Sequence, residues 1–313
     1  MAGVSVVIPA YNEAGSIRET VEGVRKAFEG SPHPLEIVVV DDGSADETAA
    51  IAEEAGARVI GHPTNKGYGN ALLTGSRHAA HSWVAITDAD GTYPVEELPA
   101  MLDEAEGRGL DMVVGARQGR HYEQNLLKRA ARWVFKRLSE WVVGEPIPDI
   151  NSGLRVMRRE LIATFAAALS GGFSFTTSIT IIAFQTGHHV VYRPIAYYPR
   201  TGQSHVRLVR DTLRALQIIV MAVVLFNPIK LFLLHAAGVA GFAIAMAALV
   251  LLLPGLYPPA LVLSLGVLAG NIIVALGFLA VRQQIYLGGI DLPRRGYAPP
   301  PGPDAPPEHG NRD

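Results

Sequence analysis

Two carboxylates stand two positions apart, at Asp88 and Asp90, directly after an apolar segment that is typical of a β-strand. Alternate residues of an extended segment point to the same side, so both carboxylates face one point. This arrangement favours a hard divalent cation, Mg²⁺ or Mn²⁺, which would bridge to a diphosphate. An EF-hand is excluded because Tyr93 stands where its loop needs glycine. A simple Asp-Gly turn is the alternative for a lone pair of this kind.

Polar residues also follow the two earlier predicted strands, with Tyr11 after the first and Asp41 and Asp42 after the second. A nucleoside fits between such loops, because Tyr11 can stack on a base or ribose and an aspartate can accept from a base N–H. The local alternative is that Ser44 or Asp46 caps the next helix and the other polar groups form turns. Both roles are compatible, and a series of polar strand ends favours a ligand site.

Later segments add basic side chains. The segment Asn65–Asn70 resembles a glycine-rich phosphate loop, but it lacks the third glycine and does not follow the first strand, which excludes a nicotinamide-binding site. Lys66 would then lie near a substrate at the start of a helix. Arg117 follows another apolar strand, and Arg155 ends the segment that begins at Asp149. Guanidinium groups fit phosphate oxygens bidentately, with surface ion pairs as the alternative.

The elements that position these residues alternate between β-branched and helical segments. The predicted strands and helices, in chain order, are Val4–Ile8, Ser16–Glu29, Glu36–Val40, Ala45–Ala55, Arg58–Ile60, Tyr68–His81 and Trp83–Thr87. This order predicts an α/β fold with a doubly wound, mostly parallel sheet. Ligands of such sheets bind outside the carboxyl ends of the strands, so we expect the polar loops to meet at one edge.

Residues 231–281 contain no Asp, Glu, Lys or Arg. At about 1.5 Å per residue, the segment from about 231 to 253 can cross a hydrocarbon core of roughly 30 Å, and a second apolar segment follows at about 259–281. We predict a transmembrane hairpin over 231–283, in which Asn271 bonds to the facing helix. Basic residues flank only its outer ends, which favours two cytoplasmic termini. A buried hairpin of a soluble protein is the alternative.

The remaining organisation follows from local composition. Residues 1–205 are predicted to form a cytoplasmic α/β domain that carries the chemistry, since the first residues indicate a strand and not a signal peptide. Residues 206–230 predict amphipathic juxtamembrane helices on an anionic membrane surface, or else a plain linker helix. Residues 288–313 are rich in proline and predict a disordered tail.

Charge and cysteine content exclude several functions. The chain has 313 residues, with 27 Lys+Arg against 29 Asp+Glu and a net charge of −2. No general basic field is present to hold nucleic acid, which is excluded as a partner. The absence of cysteine excludes disulfides, thiolate metal sites and cysteine nucleophiles.

The motifs resemble those of the family 2 glycosyltransferases, within them the branch of dolichyl-phosphate mannosyltransferases and bacterial polyprenyl-phosphate glycosyltransferases. The resemblance extends from about Val4 to Lys230 and continues into the hairpin. It is carried, in the family order, by VIPAYNE, VVVDDGSADET, NKGYGNAL, DADGTYP, GAR, DINSGLR and RTGQSH.

This resemblance implies a GT-A type fold and a metal-dependent, inverting transfer of a sugar. The donor would be a nucleotide sugar of the GDP-mannose or UDP-glucose type, the acceptor a dolichyl or undecaprenyl phosphate, and the cation Mg²⁺ or Mn²⁺. Membrane lipids are implied partners, and a homo-oligomer is compatible with the sequence. The alternatives are a family 2 transferase with another lipid or glycan acceptor, and a non-catalytic membrane subunit that retains the fold.

Motifs and resemblance together assign the candidate site residues. Those for the nucleotide sugar are Pro9, Tyr11, Glu13, Asp41, Asp42, Lys66, Asp88, Ala89, Asp90, Arg117 and Arg200. Those for the metal are Asp88 and Asp90, and those for the acceptor phosphate are Arg155, Arg200, Ser204 and His205. The expected catalytic residues are Asp90, Arg117 and Asp149. Asp149 is the candidate base, although a lipid phosphate is already ionised at neutral pH and needs orientation more than deprotonation.

Three positions depart from the family pattern. Thr92 stands where many relatives carry glutamine, two residues after Asp90. Ser178 replaces the glutamate of the relatives' F-Q-x-E segment, and His205 replaces a lysine. The first change concerns the metal contacts and the other two concern the acceptor site.

Overall fold

The structure is a computed structural model of the chain. It describes residues 1–118, 126–166, 168–169, 175–198, 228–253 and 257–287. The described residues fall into two compact units. The first contains residues 1–130 and 147–198, and the second contains residues 131–146 with those described between 228 and 287.

A seven-stranded sheet forms the centre of the first unit. Its strands are β1 (Val4–Ala10), β2 (Leu35–Asp41), β3 (Arg58–Gly61), β4 (Trp83–Ile86), β5 (Met112–Gln118), β6 (Arg155–Arg158) and β7 (Val190–Ala196). The helices of the chain's first two hundred residues are α1 (Ile17–Ala27), α2 (Thr48–Glu54), α3 (Tyr68–His78), α4 (Leu98–Gly107), α5 (Leu126–Val143), α6 (Arg159–Phe165) and α7 (Phe175–Gln185). From residue 131 onward α5 belongs to the second unit.

The strand order is β3-β2-β1-β4-β6-β5-β7. The pairs of β1 with β2 and β4, of β2 with β3, and of β5 with β7 are parallel, whereas β6 runs antiparallel to both β4 and β5. The predicted mostly parallel, doubly wound sheet is therefore confirmed. Because β6 runs backwards, its first residue, Arg155, pairs with Ile86 at the end of β4 and lies at the edge where the parallel strands end.

Both faces of the sheet are covered, so every residue of β1 is buried. Val6 and Ile8 belong to the hydrophobic core that α1 and α4 complete. On the opposite face α3 packs very closely, since a Cβ on Gly75 would lie 2.3 Å from Cγ1 of Val7. Only glycine allows α3 to approach β1 to this distance.

The predicted helix over Ala45–Ala55 begins later, at Thr48. Its expected first residues bond instead to the loop after β1: Ala45 N donates to Asn12 Oδ1 at 2.8 Å, and the Asp46 carboxylate accepts from Ala14 N at 3.2 Å. Asp46 also accepts from the Thr48 backbone N at 3.1 Å, so part of the predicted capping role holds. Residues that the local sequence predicted to start the helix therefore form hydrogen bonds between the two loops.

The second unit contains two long helices, α8 (Pro228–Leu252) and α9 (Tyr257–Leu287), close to the predicted pair. Within α8, His235–Leu252 is long and apolar enough to cross a membrane, and none of it is buried. A shorter apolar stretch, Leu263–Gly277, lies in α9. The Asn271 amide donates to Val267 O of its own helix at 2.8 Å, and the expected bond to the facing helix stays a prediction.

The predicted break between the two helices is shorter than expected. Helix α9 begins at Tyr257 and includes two prolines in its first turn, where their missing N–H groups are not needed. The predicted juxtamembrane helices, up to residue 227, and the proline-rich tail at 288–313 lie outside the described residues.

Candidate functional site

The loops after β1 and β2 are joined to each other by side-chain hydrogen bonds. Asn12 N donates to Ser44 Oγ at 2.9 Å, and Glu13 N donates to Thr48 Oγ1 at 2.9 Å. Asn12 has a positive φ of 56°, a conformation that asparagine tolerates better than most residues. The two polar loops predicted to hold a nucleoside therefore form one connected surface.

Asp41 and Asp42 lie at the end of β2 and are both buried, with 8% and 3% of their surface exposed. One oxygen of Asp41 accepts from Ser44 N at 3.2 Å within its own turn. The carboxylate of Asp42 reaches across to the next loop, where it accepts from Lys66 N at 2.9 Å and Gly67 N at 2.7 Å. Of the two aspartates, Asp42 is the one that fixes a neighbouring loop.

Asp88 and Asp90 follow β4, as predicted. Asp88 is half-buried, and its Oδ1 accepts from the Tyr68 hydroxyl at 2.9 Å. Gly153 lies against it, so that a Cβ at residue 153 would come within 2.9 Å of Oδ1. Asp90 is 6% exposed, and its Oδ1 accepts from Thr92 N at 3.2 Å and Thr92 Oγ1 at 2.7 Å. Thr92, which departs from the family pattern, thus orients the second carboxylate.

Tyr68 remains a hydrogen-bond donor at ordinary pH. Burial, followed by the charge of Asp88, raises the pKa of its hydroxyl well above the usual value. The hydroxyl therefore holds its proton toward Asp88, which stays the acceptor.

Arg117 and Asp149 form a buried bidentate ion pair. Arg117 Nε lies 2.7 Å from Asp149 Oδ2, and Nη2 lies 2.9 Å from Oδ1. The Arg117 guanidinium also lies over the Tyr197 ring, 5.2 Å from its centroid. Burial alone would raise the pKa of Asp149, but the hydrogen bonds and charge of Arg117 outweigh it and lower the pKa. Asp149 therefore binds a proton weakly, which argues against the expected role of general base.

Arg155 does not lie at the surface, contrary to its predicted contact with an acceptor phosphate. It is fully buried, and its guanidinium donates to Ile150 O at 2.8 Å, Ser152 O at 2.8 Å and Thr180 Oγ1 at 2.6 Å. The guanidinium therefore ties the segment before β6 to α7 and lies too deep to contact a lipid phosphate.

The structure distributes the other predicted residues unevenly. Pro9 is buried inside β1, and Ala89 belongs to the hydrophobic core, so neither offers a side chain to a ligand. Tyr11 and Glu13 are half-buried at the loop surface, and Lys66 is exposed. Three further predicted residues, Arg200, Ser204 and His205, lie outside the described residues.

Residues that the sequence did not reveal as site residues support these groups. Tyr93 accepts from Gly153 N at 2.7 Å through its hydroxyl oxygen. His62, directly after β3, contacts Asp42 at 2.7 Å. A signal for His62 was available, since it occupies the strand-end position that drew attention to Asp41 and Asp88. The contact of Tyr68 with Asp88 joins residues twenty positions apart and had no local signal.

The site thus brings the carboxylates of Asp41, Asp42, Asp88 and Asp90 and a polar loop surface to the edge where the parallel strands end. A sequence profile of glycosyl transferase family 2 matches residues 5–191, which include all of these groups. The chain belongs to glycosyl transferase family 2. The resemblance drawn from the motifs is confirmed.

Several curated relatives of this family 2 transferase carry names that describe lipid-linked sugars. The dolichyl-phosphate hexose transferase of Haloferax volcanii is 33% identical over 201 residues, covering 64% of this chain and 85% of the relative. The low-salt glycan biosynthesis hexosyltransferase Agl6 of the same organism is 33% identical over 211 residues, covering 66% and 50%. An undecaprenyl-phosphate 4-deoxy-4-formamido-L-arabinose transferase of Enterobacter is 37% identical over 165 residues, covering 51% and 50%. The match thus spans only half the length of the last two proteins.

The fold of the family 2 transferase also matches solved structures. Glucosyl-3-phosphoglycerate synthase of Mycobacterium tuberculosis, solved with Mn²⁺, UDP and phosphoglyceric acid, aligns with a TM-score of 0.58 at 20% identity over 71% of this chain and 78% of the synthase. The same synthase bound to UDP-glucose aligns with a TM-score of 0.59. The sheet is therefore of the GT-A type that the resemblance implied.

Proposed function

We propose that this chain transfers one sugar, with inversion, from a nucleotide sugar of the GDP-mannose or UDP-glucose type to a polyprenyl phosphate, of the dolichyl or undecaprenyl class. The observation that carries the proposal is that the parallel strands β1, β2 and β4 end at one edge of the sheet, where Asp88 and Asp90 follow β4. The relatives named for dolichyl-phosphate and undecaprenyl-phosphate transfer support the acceptor class.

The nucleotide lies, in this proposal, on the joined loops after β1 and β2. Tyr11 is half-buried at that surface and offers its ring for stacking on the base or ribose. Asp41 and Asp42 form the floor, where Asp42 holds the backbone of Lys66. The Lys66 side chain is exposed beside this floor and would contact the diphosphate.

Asp88 and Asp90 fit a divalent cation. Their oxygens are the ligands that Mg²⁺ and Mn²⁺ prefer, and the close approach of Gly153 leaves the cradle around Asp88 free of a side chain there. Among the residues that the structure describes, no group of three acidic or histidine side chains surrounds a common point. The remaining ligands would come from the diphosphate and water, which is common for Mg²⁺.

The proposed reaction needs little acid–base chemistry from the protein. A phosphate oxygen of the lipid forms a bond to the anomeric carbon, the bond from that carbon to the diphosphate breaks, and the diphosphate leaves with the bonding electrons. Asp88 and Asp90 would hold a divalent cation, which would neutralise the charge that builds on this leaving group. Tyr68 and Thr92 orient the two carboxylates, and Asp149 holds Arg117 rigid.

We further propose that the second unit is embedded in a bilayer, with both termini in the cytoplasm. Leu251 and Leu252 are 82% and 79% exposed, which is unfavourable in water and favourable in lipid. Trp133 and Trp141 of α5 are also exposed, and tryptophan is enriched at membrane interfaces. Helix α8 would span the bilayer, and α9 would return the chain.

The test uses the full chain in detergent with Mg²⁺, a panel of GDP- and UDP-sugars, and undecaprenyl or dolichyl phosphate. We expect one donor to label the lipid extract, and Asp88→Ala to abolish the label. Asp103→Ala is the matched control, because Asp103 is an exposed carboxylate bonded to His33 at a distant helix. Nucleotide release without labelled lipid would contradict the acceptor, and silence from every donor would favour a non-catalytic subunit.

A further inference from the structure

A buried histidine occupies the end of β3, next to the proposed donor site. His62 is 8% exposed, and both of its ring nitrogens have partners. Nδ1 lies 2.7 Å from Asp42 Oδ1, and Nε2 lies 2.9 Å from Thr74 Oγ1. The backbone N of His62 also donates to Asp41 O at 2.8 Å. The ring therefore bridges the end of β2 and the middle of α3.

The contact with Asp42 assigns one proton of the ring. An ionised Asp42 only accepts, so Nδ1 carries the hydrogen that it donates. Nε2 lies against the Thr74 hydroxyl, which can donate or accept. His62 thus donates to Asp42, and both of its ring nitrogens have a polar partner.

His62 is one of three donors to the same carboxylate. The other two are the backbone N–H groups of Lys66 and Gly67, at 2.9 and 2.7 Å. A buried carboxylate needs such donors, since each one lost leaves part of its charge unsolvated. The imidazole thus fixes the rotamer with which Asp42 grips the backbone of residues 66 and 67.

Residues 66 and 67, which Asp42 holds, lead directly to the residue that contacts Asp88. The backbone just before this segment packs closely against Gly43. The φ of Gly43 is 76°, and a Cβ there would come within 2.8 Å of the carbonyl carbon of Thr64. The next residue after Gly67 is Tyr68, whose hydroxyl donates to Asp88 Oδ1 at 2.9 Å. A shift of the segment would move both the Lys66 side chain and the hydroxyl that orients Asp88.

We propose that His62 is a positioning residue of the donor site, which through Asp42 sets the place of Lys66 and Tyr68 and thereby the affinity for the nucleoside diphosphate. This inference rests on the proposed function, because it assigns the same surface to a nucleotide. His62 does not touch the ligand and takes no part in the transfer. Its contribution is to the geometry of the groups that do.

The chain contains a matched control for this contact. His33 is 4% exposed, and its Nε2 lies 2.9 Å from Asp103 Oδ1, while Nδ1 lies 2.9 Å from Ala2 O. It precedes β2 and therefore lies at the opposite edge of the sheet. Both histidines are buried and contact a carboxylate. They differ because Asp42 also holds the loop at residues 66 and 67, whereas Asp103 lies in helix α4.

Two variants with amide side chains of different length test the two contacts of His62 separately. His62→Asn places an amide N–H near the position of Nδ1 and keeps the donor to Asp42. His62→Gln places its amide near Nε2 and keeps only the contact with Thr74. The binding of UDP and of GDP, each with Mn²⁺, is measured calorimetrically on the full chain in detergent, alongside melting temperatures and amide hydrogen exchange over residues 62–68.

We expect His62→Asn to bind the nucleotide within about threefold of the wild type and His62→Gln to bind roughly tenfold more weakly, as expected for losing a hydrogen bond to a charged group. Exchange at residues 66 and 67 should quicken only in the glutamine variant. His33→Gln should leave nucleotide binding unchanged. Asp42→Asn tests the same contact from the other side, and we expect weakening of similar size.

Equal affinity of the asparagine, glutamine and wild-type chains would overturn the inference and leave the proposed function standing. So would an equal loss of affinity in His33→Gln and His62→Gln, because it would reduce both histidines to a contribution to stability. If the wild-type chain binds neither UDP nor GDP, the proposed donor site fails and the inference fails with it.

Discussion

The two halves of the ligand-binding edge hold their carboxylates by different means. After β2 and β4, Asp42 and Asp90 accept from backbone N–H groups and from the side chains of His62 and Thr92. Beside β5, Asp149 faces the guanidinium of Arg117. Neutral donors orient a carboxylate without cancelling its charge, whereas an arginine cancels it. The described contacts of the first half thus orient Asp42 and Asp90, and the second half forms a rigid ion pair.

The same residue type therefore has two functions at one edge of one sheet. The pattern of aspartates after strands predicts that they converge, but their partners decide whether they bind a ligand or support the fold. Mutations that separate ligand binding from stability can test this comparison directly.

The largest effect is expected from Asp90→Ala compared with Asp149→Asn. Loss of Asp90 should lower sugar transfer on the order of 10²–10³-fold, because charge on the leaving diphosphate would no longer be neutralised. Asp149→Asn should lower the rate by less than about tenfold, since its carboxylate holds Arg117 and its lowered pKa makes it a weak base. The measurement is the initial rate of label entering the lipid at saturating donor. Equal losses would place Asp149 in the reaction and break the comparison.

Arg155→Ala should destabilise the first unit by about 3 kcal/mol or more, because it opens a cavity and leaves the buried carbonyl oxygens of Ile150 and Ser152 unpaired. Urea unfolding in detergent measures this loss. Arg58→Ala is the control, since the Arg58 side chain is 52% exposed and its ion pair with Glu36 should contribute about 1 kcal/mol or less. A stable Arg155→Ala chain with an altered KM for the lipid would restore the predicted contact with the acceptor.

Arg117→Lys should cost about 1.5–3 kcal/mol, since lysine cannot reproduce both hydrogen bonds to Asp149. The pKa of Asp149 is lowered in the folded state, so its pairing stabilises the protein above the unfolded pKa of about 3.9. That contribution is lost as the pH falls through the lower, folded pKa. The difference in unfolding free energy between the wild type and the variant should therefore be the same at pH 6 and at pH 8, and it should vanish in strong acid. A difference that grows in acid would contradict this assignment.

The smallest effect concerns His33, outside both halves of the edge. Burial lowers the pKa of His33, but hydrogen bonds with Asp103 and Ala2 outweigh it, and the net pKa is raised. The contribution of these contacts to the free energy of unfolding is then fully present below the unfolded pKa of about 6.5, and it is lost as the pH rises through the folded pKa. The wild type should exceed His33→Gln in stability by about 1 kcal/mol at pH 5.5 and by less at pH 8.5. A larger stability difference at pH 8.5 than at pH 5.5 would contradict a raised pKa of His33.

The site was predictable where it depends on the order of strands. Polar residues after β1, β2 and β4 converge because parallel strands end at one edge, and Asp88 and Asp90 are therefore found as expected. Arg155 was not predictable, because β6 runs antiparallel and its first side chain points into the interior toward α7. The contact of Tyr68 with Asp88 was also hidden, since it forms only through the tertiary packing of α3 against the sheet.

The close approach of Gly75 to Val7 limits how the sequence can drift over evolutionary time. Even an alanine would have to push α3 away from β1, and Tyr68 stands two helical turns, or about 10 Å, from that point. A single methyl group in the interior would thus act as a wedge under the hydroxyl that orients Asp88. Replacing Gly75 would therefore require compensating changes in β1.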